Sequence, residues 1–294
     1  MNILMVASEV APYLRTGDVA KVVLELGCQL RRQGHDIRIV IPRYRSLSLD
    51  SDPRPVVNEF DVPLGAYSRK ASVHRTDYVF DATSLPVYLV GNPFYFGREN
   101  PYGYFDDYER FIFFTRAILE MLQHAEFAAE SWQPQVIHGH DWIAGLMPFW
   151  LRHTYREQPE TTSIAFAYTL HNAAFPGQFG SRAIKIADLL DLGFYESIDA
   201  SDSRINFMAR GILAADAVNT VSPQHADEIM EGIYDWSSLE PSGTGKLLCL
   251  IVYENKAFDE CGNWTCRVVE SELFWPSDFE SSYMEYRTLL YYSD

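Results

Sequence analysis

The sequence predicts an α/β fold, a mainly parallel sheet with helices on both faces, over residues 1–231, followed by a divergent tail over residues 232–294. Three observations carry this reading. Met1–Tyr44 runs as strand, loop, helix and strand; the alternation returns after Trp132; and past Glu231 the periodicity fades into turn formers, acids, aromatics and cysteines.

Ile3–Ala7 is a short apolar run suited to a buried parallel strand, and Ser8–Gly17 is a polar, proline-bearing loop that ends at a glycine. Val19, Val22, Val23, Leu26 and Leu30 then recur at helical spacing, with Thr16 or Asp18 placed to cap the start and Gly34 to stop the helix. Ile37, Ile39 and Ile41 give the second strand before Pro42. A right-handed crossover puts the first loop at the carboxyl edge of the sheet, beside a helix amino terminus where phosphate is favoured. Pro55–Pro63 and Tyr67–Phe80 read as strands of a hairpin-like insertion, and Val87–Val90 returns to the buried pattern. The piece GNPFYFGRENPYGYFDDYERF is dense in turn residues and aromatics and reads as a long ordered surface loop. Phe105 to Ala128 is predicted helical, with Phe111, Phe114, Ile118, Leu119 and Leu122 on one face and Trp132–Gln133–Pro134 ending it.

Val136–Ile137 predicts a strand, and Trp142–Tyr155 a helix with Asp141 as its N-cap. Ile164–Leu170 is the next strand, leading into His171–Asn172 and the loop NAAFPGQFG. Ala183–Leu192 and Ser203–Leu213 read as helices, Ala217–Val221 as a strand, and Pro223–Met230 as a helix with proline in its first turn. In the tail, Tyr234–Gly245 is rich in turn formers and Lys246–Tyr253 is one strand candidate.

Composition narrows the function. With 47% hydrophobic and 14% aromatic residues, the chain of 294 is globular. A formal charge of −16 opposes any broad attraction to nucleic acid or anionic membrane, so a phosphate-bearing ligand needs a local basic patch. The four cysteines form no C-x-x-C pair, which suggests neither a zinc site nor a disulfide framework. No positive region precedes the first apolar run, and no stretch approaches the roughly 20 apolar residues of a membrane span. A cytoplasmic location is the expectation.

Four stretches are candidates for chemistry. In the first loop Arg15 can clamp a pyrophosphate while Gly17 permits close backbone approach; a plain strand-to-helix turn is the alternative. His138 and His140 lie two apart and share a face, which with Asp141 suits either metal ligation or, more commonly, hydrogen-bonded scaffold. His171–Asn172 follows a buried strand, a position from which polar side chains enter a cleft, although a satisfied core histidine fits equally. The aromatics of Phe94–Phe105 suit sugar stacking or, slightly better, local packing. Ser242–Lys246 fails as a phosphate loop because Glu240 and Leu247 stand at the required Gly and Ser/Thr.

The stretch SEVAPYLRTGDVAKVV resembles the opening of bacterial glycogen synthases and plant starch synthases, whose usual form is SE-x-x-P-x-x-K-T-G-G-L-x-D-V. GHDIRIVIPRY, NPFYFGRENPYGYFDDYERFIFF, WQPQVIHGHDW, YTLHNAAFPGQF and INFMARGILAADAVNTVSPQHADEI are each similar to a segment of that family, in the same order. The resemblance covers Met1 to about Met230. It implies one half of a glycosyltransferase built of two Rossmann-like domains, a retaining enzyme that moves glucose from ADP-glucose to the non-reducing end of an α-1,4-glucan. Neither a metal nor a cofactor is implied beyond the nucleotide-sugar donor. Carried over residue by residue, His171 lies at the reacting sugar with Asn172 beside it. Arg15 contacts the donor, Thr16, Gly17 and Asp18 belong to the donor loop, and Glu9 and Asp141 line the cleft.

The departures are specific. Arg15 stands where the family has lysine, Asp18 where it has its second glycine, and Lys21 where it has aspartate. A carboxylate at Asp18 repels a nearby phosphate, and Lys21, three residues on, is placed to pair with it. After Glu231 none of the motifs of the family's nucleotide-binding domain appears, which implies a partner chain carrying that domain. The alternatives are a glucan-binding or regulatory module without catalysis, or a truncated gene product.

Overall fold

The computed structural model describes residues 1–189, 204–230, 249–255 and 266–273. Its main sheet contains ten strands, and the alternation read from the sequence supplies its centre. Strand β1 (Asn2–Val6) pairs in parallel with β2 (Asp36–Pro42) on one side and with β6 (Val136–His140) on the other. Beyond β2 come β5 (Thr83–Gly91), β4 (Tyr67–Phe80) and β3 (Arg54–Leu64), the last two antiparallel. Beyond β6 lie β7 (Ala165–Leu170) and β10 (Ala217–Thr220), both parallel. The predicted hairpin is therefore no separate insertion but the continuation of the sheet at one edge. At the other edge the backbones of β11 (Cys249–Asn255) and β12 (Cys266–Leu273) add one parallel and one antiparallel strand. The Ser242–Lys246 stretch lies outside the described residues.

Strand β1 shows why both faces are covered. Leu4 and Val6 enter the larger core cluster with α3 (Asp107–Gln123), whereas Ile3 and Met5 enter a smaller one under α1 (Val19–Arg32). That division follows from the two-residue period of a strand, and it explains an apolar run without alternation. Helix α1 ends as predicted, with Gly34 at φ +89°. At the β3 edge, Glu130 receives Arg54 at 2.9 Å and Arg75 and Tyr88 at 3.1 Å, so one carboxylate ties three neighbouring strands together.

Several helices differ from their predicted extents. The long helix after Phe105 stops at Gln123; His124 is extended and accepts from Glu126 N, starting a separate turn, α4 (Ala125–Ala128). The predicted Trp142–Tyr155 helix divides into a 3-10 turn (Trp142–Ala144) and α5 (Met147–Arg152). Pro148 explains the break, since it has no N–H to give the carbonyl four residues back. Ser181–Ile186 forms α6, shorter than predicted, and 190–203 lie outside the described residues. Residues Arg204–Asn206 pair as β9 with β8 (Gln178–Gly180) before α7 (Phe207–Ala214) begins, because the Asn206 side-chain oxygen Oδ1 caps the helix by accepting from Ala209 N at 2.9 Å. The aromatic loop contains α2 (Pro93–Phe96), and α8 (Pro223–Met230) closes the series. No helix among the described residues is long and apolar enough to cross a membrane.

Candidate functional site

Strand order reverses at the β1/β6 junction, and the loops after β1, β6 and β7 leave the sheet at the same carboxyl end. Val6 lies in register with Gly139 and Gly139 with Tyr168. Open α/β sheets bind ligands at such a switch point. Every site residue carried over from the family resemblance stands on one of these three loops or on the helix that follows the first, whereas His138 and His140 lie in β6 itself.

The first loop is wrapped around its own carboxylate. Glu9 is buried, and it accepts Thr16 N at 2.5 Å, Thr16 Oγ1 at 2.6 Å and Gly17 N at 3.0 Å. A Cβ at Gly17 would stand 3.4 Å from Glu9 Oε1, an ordinary van der Waals contact, so space within the loop does not by itself demand glycine there. The expected capping is thus replaced. Thr16 spends its hydroxyl on Glu9, and Asp18 sits at the N-cap of α1 without a side-chain cap bond. The predicted ion pairing is also corrected. Asp18 lies 3.8 Å from the Arg15 guanidinium, and Lys21 reaches Glu25 at 3.6 Å, one helical turn on, where the pair shares a helix face. Arg15 and Asp18 side chains are 59% and 98% exposed, so their pairing is weak and displaceable.

Asp141 does something other than cap the turn after β6. Its backbone has φ +56°, a conformation L residues rarely hold, and its side chain crosses to the next strand end. Oδ1 accepts His171 N at 2.7 Å and Asn172 N at 3.2 Å. Burial pushes the Asp141 carboxyl up, against the pull of His171 and of the two amides. A backbone held at an unfavourable φ by a carboxylate serving a neighbouring loop is the kind of outlier that marks functional sites.

Behind this clamp runs a polar chain. The Thr169 hydroxyl donates to Asn219 Oδ1 at 2.5 Å and lies 2.6 Å from His138 Nε2. The His138 ring lies against that of His140, with centroids 4.3 Å apart, and His140 Nδ1 is 2.9 Å from His171 Nε2. Burial, with neighbouring imidazoles adding to it, depresses His138 to about 3 and His140 well below the ordinary range; His171 is lowered too, again by burial. Both rings of the pair are thus hydrogen-bonded to other side chains inside the fold. Among the described residues no group of three His, Cys, Asp or Glu is arranged to hold a metal ion. Thr169 and Asn219 escaped the sequence reading. Their signal was a polar residue inside an otherwise apolar buried strand.

The aromatic loop divides between packing and exposure. Tyr95 and Phe96 are fully buried, whereas Phe94 and Phe105 are 59% and 90% exposed on a groove of about 430 Å³ that Tyr67, Arg69, Tyr108 and Arg182 also line. Tyr102, on the same loop, packs against the larger core cluster, and burial, with the Glu9 and Asp141 charges adding to it, pushes its hydroxyl up.

Residues 2–241 match the model of the starch synthase catalytic domain family. A glycogen synthase 2 of Geobacter metallireducens is 39% identical over 238 residues, covering 78% of this chain and 47% of that protein. A Bacillus cereus glycogen synthase is 34% identical over 233 residues, again 78% of this chain and 47% of the relative. The chain thus spans about half the length of the curated relatives it matches. Among solved structures, the catalytic domain of starch synthase IV from Arabidopsis thaliana, bound to ADP and acarbose, superposes with a TM-score of 0.67 at 27% identity, over 78% of this chain and 46% of that one.

The buried imidazoles make stability depend on pH. His138 and His140 are held neutral in the fold but take up a proton at an ordinary 6.5 once unfolded. Their contribution is complete above that value and is lost as pH falls toward their folded values. Urea unfolding should show a loss of roughly 2 kcal/mol for each buried ring between pH 7 and pH 5. A flat profile over that range would contradict the burial of neutral rings.

Proposed function

Because the chain belongs to the starch synthase catalytic domain family, we propose that it forms the glucan-accepting half of a retaining glucosyltransferase. The donor is a nucleotide sugar, ADP-glucose by family resemblance, and the acceptor is the non-reducing end of an α-1,4-glucan. The observation that carries this reading is the convergence of three loops at one switch point, bringing a phosphate-competent arginine loop beside the clamped His171–Asn172 segment.

The roles divide by chemistry. The Arg15 guanidinium meets the donor pyrophosphate as a charged, bidentate donor. Glu9 fixes Thr16 and Gly17 so that the loop backbone holds its shape without a ligand. His171 and Asn172 face the sugar, held by Asp141. The nucleotide-binding half, by the same resemblance, supplies the charge that stabilises the departing phosphate, and it comes from a separate chain or from sequence beyond the matched region. We place the complex in the cytoplasm.

Two measurements test this reading. Purified chain should co-sediment with glycogen, yet transfer glucose from labelled ADP-glucose at least about 1,000-fold more slowly than a full-length relative, because the leaving-group charge stabilisation is missing. Failure to co-sediment would remove the glucan reading, and transfer at the relative's rate, above a His171→Ala control, would show that one half suffices. The second concerns Asp18, which competes with phosphate for Arg15. Asp18→Gly should tighten ADP-glucose binding by calorimetry about 2–5-fold, the range of an exposed pair; unchanged or weaker binding would show that Asp18 is no handicap.

A further inference from the structure

The Nδ1 atom of His140 and the Nε2 atom of His171 stand 2.9 Å apart, so one proton lies between two imidazole nitrogens. Which ring carries it can be decided by accounting for the remaining nitrogens. If His171 Nε2 donates, the His140 proton must sit on His140 Nε2. That atom is wholly buried and has no hydrogen-bond partner among the described residues. A buried N–H without an acceptor costs about 1–3 kcal/mol, and such orphaned donors are rare in folded proteins. If instead His140 Nδ1 donates, Nε2 is left as an unpaired buried acceptor, which also costs free energy but is less rare in folded proteins than an orphaned N–H. That difference points to the Nδ1–H form of His140, against the small preference of free imidazole for Nε2–H.

We propose that His140 is a positioning residue that fixes His171 in its Nδ1–H tautomer by donating from His140 Nδ1 to His171 Nε2. His171 then has its basic nitrogen occupied, and any ligand contact through its ring nitrogens is made by the Nδ1–H donor. His138 completes the device from the other side. With the Thr169 hydroxyl spent on Asn219, His138 Nε2–H donates to Thr169, which pins the ring that lies against His140. The depressed protonation of all three rings keeps them neutral, as a tautomer-based arrangement requires.

The meaning for substrate rests on the glucosyl-transfer reading: His171 would donate to a sugar oxygen and would not act as a general base. The tautomer itself is measurable with no ligand, so the two fail separately. In the full chain labelled with nitrogen-15 histidine, long-range proton–nitrogen correlation spectra should show His171 as Nδ1–H, with its signals assigned by their loss in His171→Gln. His140→Asn, whose amide N–H falls where the imidazole Nδ1–H was, should keep that form. His140→Leu, or His140→Phe should the leucine variant not fold, should shift His171 to the Nε2–H form. An Nε2–H tautomer in the unsubstituted chain, or an Nδ1–H tautomer that survives loss of the His140 donor, would overturn the proposal.

Discussion

The site depends on one carboxylate serving a strand other than its own. Asp141 follows β6, yet both its side-chain hydrogen bonds go to the amides that follow β7. Parallel neighbours cannot be joined by a tight turn, so their ends have no covalent reason to stay in register. A buried acceptor spanning two ends supplies that reason, and the unfavourable backbone at Asp141 is the local cost of reaching across. Glu9 repeats the device on the first loop, folding Thr16 and Gly17 back onto the end of β1.

This has a consequence for anion recognition. A loop at a helix amino terminus ordinarily attracts phosphate through unpaired backbone N–H groups. Here two of the loop amides already have a carboxylate partner, and Asp18, at the start of α1, adds a second negative charge. Under the proposed donor role, attraction for phosphate falls to side-chain cations, with Arg15 the one on this loop. In a chain with a net charge of −16, that concentrates recognition in very few residues.

The sheet centre was legible because a strand buried on both faces and an amphipathic helix leave different periods in the sequence, as Ile3–Ala7 and Val19–Leu30 do. The loops were legible as loops for the same reason, through Pro, Gly and polar residues. What the loops do inside was not, because it depends on contacts between residues far apart in the chain. Asp141 reads as a cap until the β7 end is placed beside it, and Asp18 and Lys21 read as partners until Arg15 and Glu25 compete for them. Helix limits failed where a side chain or proline intervened, at His124, Pro148 and Asn206. Thr169 and Asn219 remained invisible as a pair, since nothing in AFAYTL or AVNT states that the two strands are neighbours.

Carboxylates directed at backbone amides build this wall of the site within the chain itself, with no ligand needed to shape it. Amide hydrogen exchange of the ligand-free chain, read residue by residue, tests this most directly. Thr16, Gly17, His171 and Asn172 should be protected well above their unbonded loop neighbours, and Asp141→Ala should release His171 and Asn172 while leaving Thr16 and Gly17 protected. Exchange of these four amides at the rate of an unstructured peptide would contradict the account.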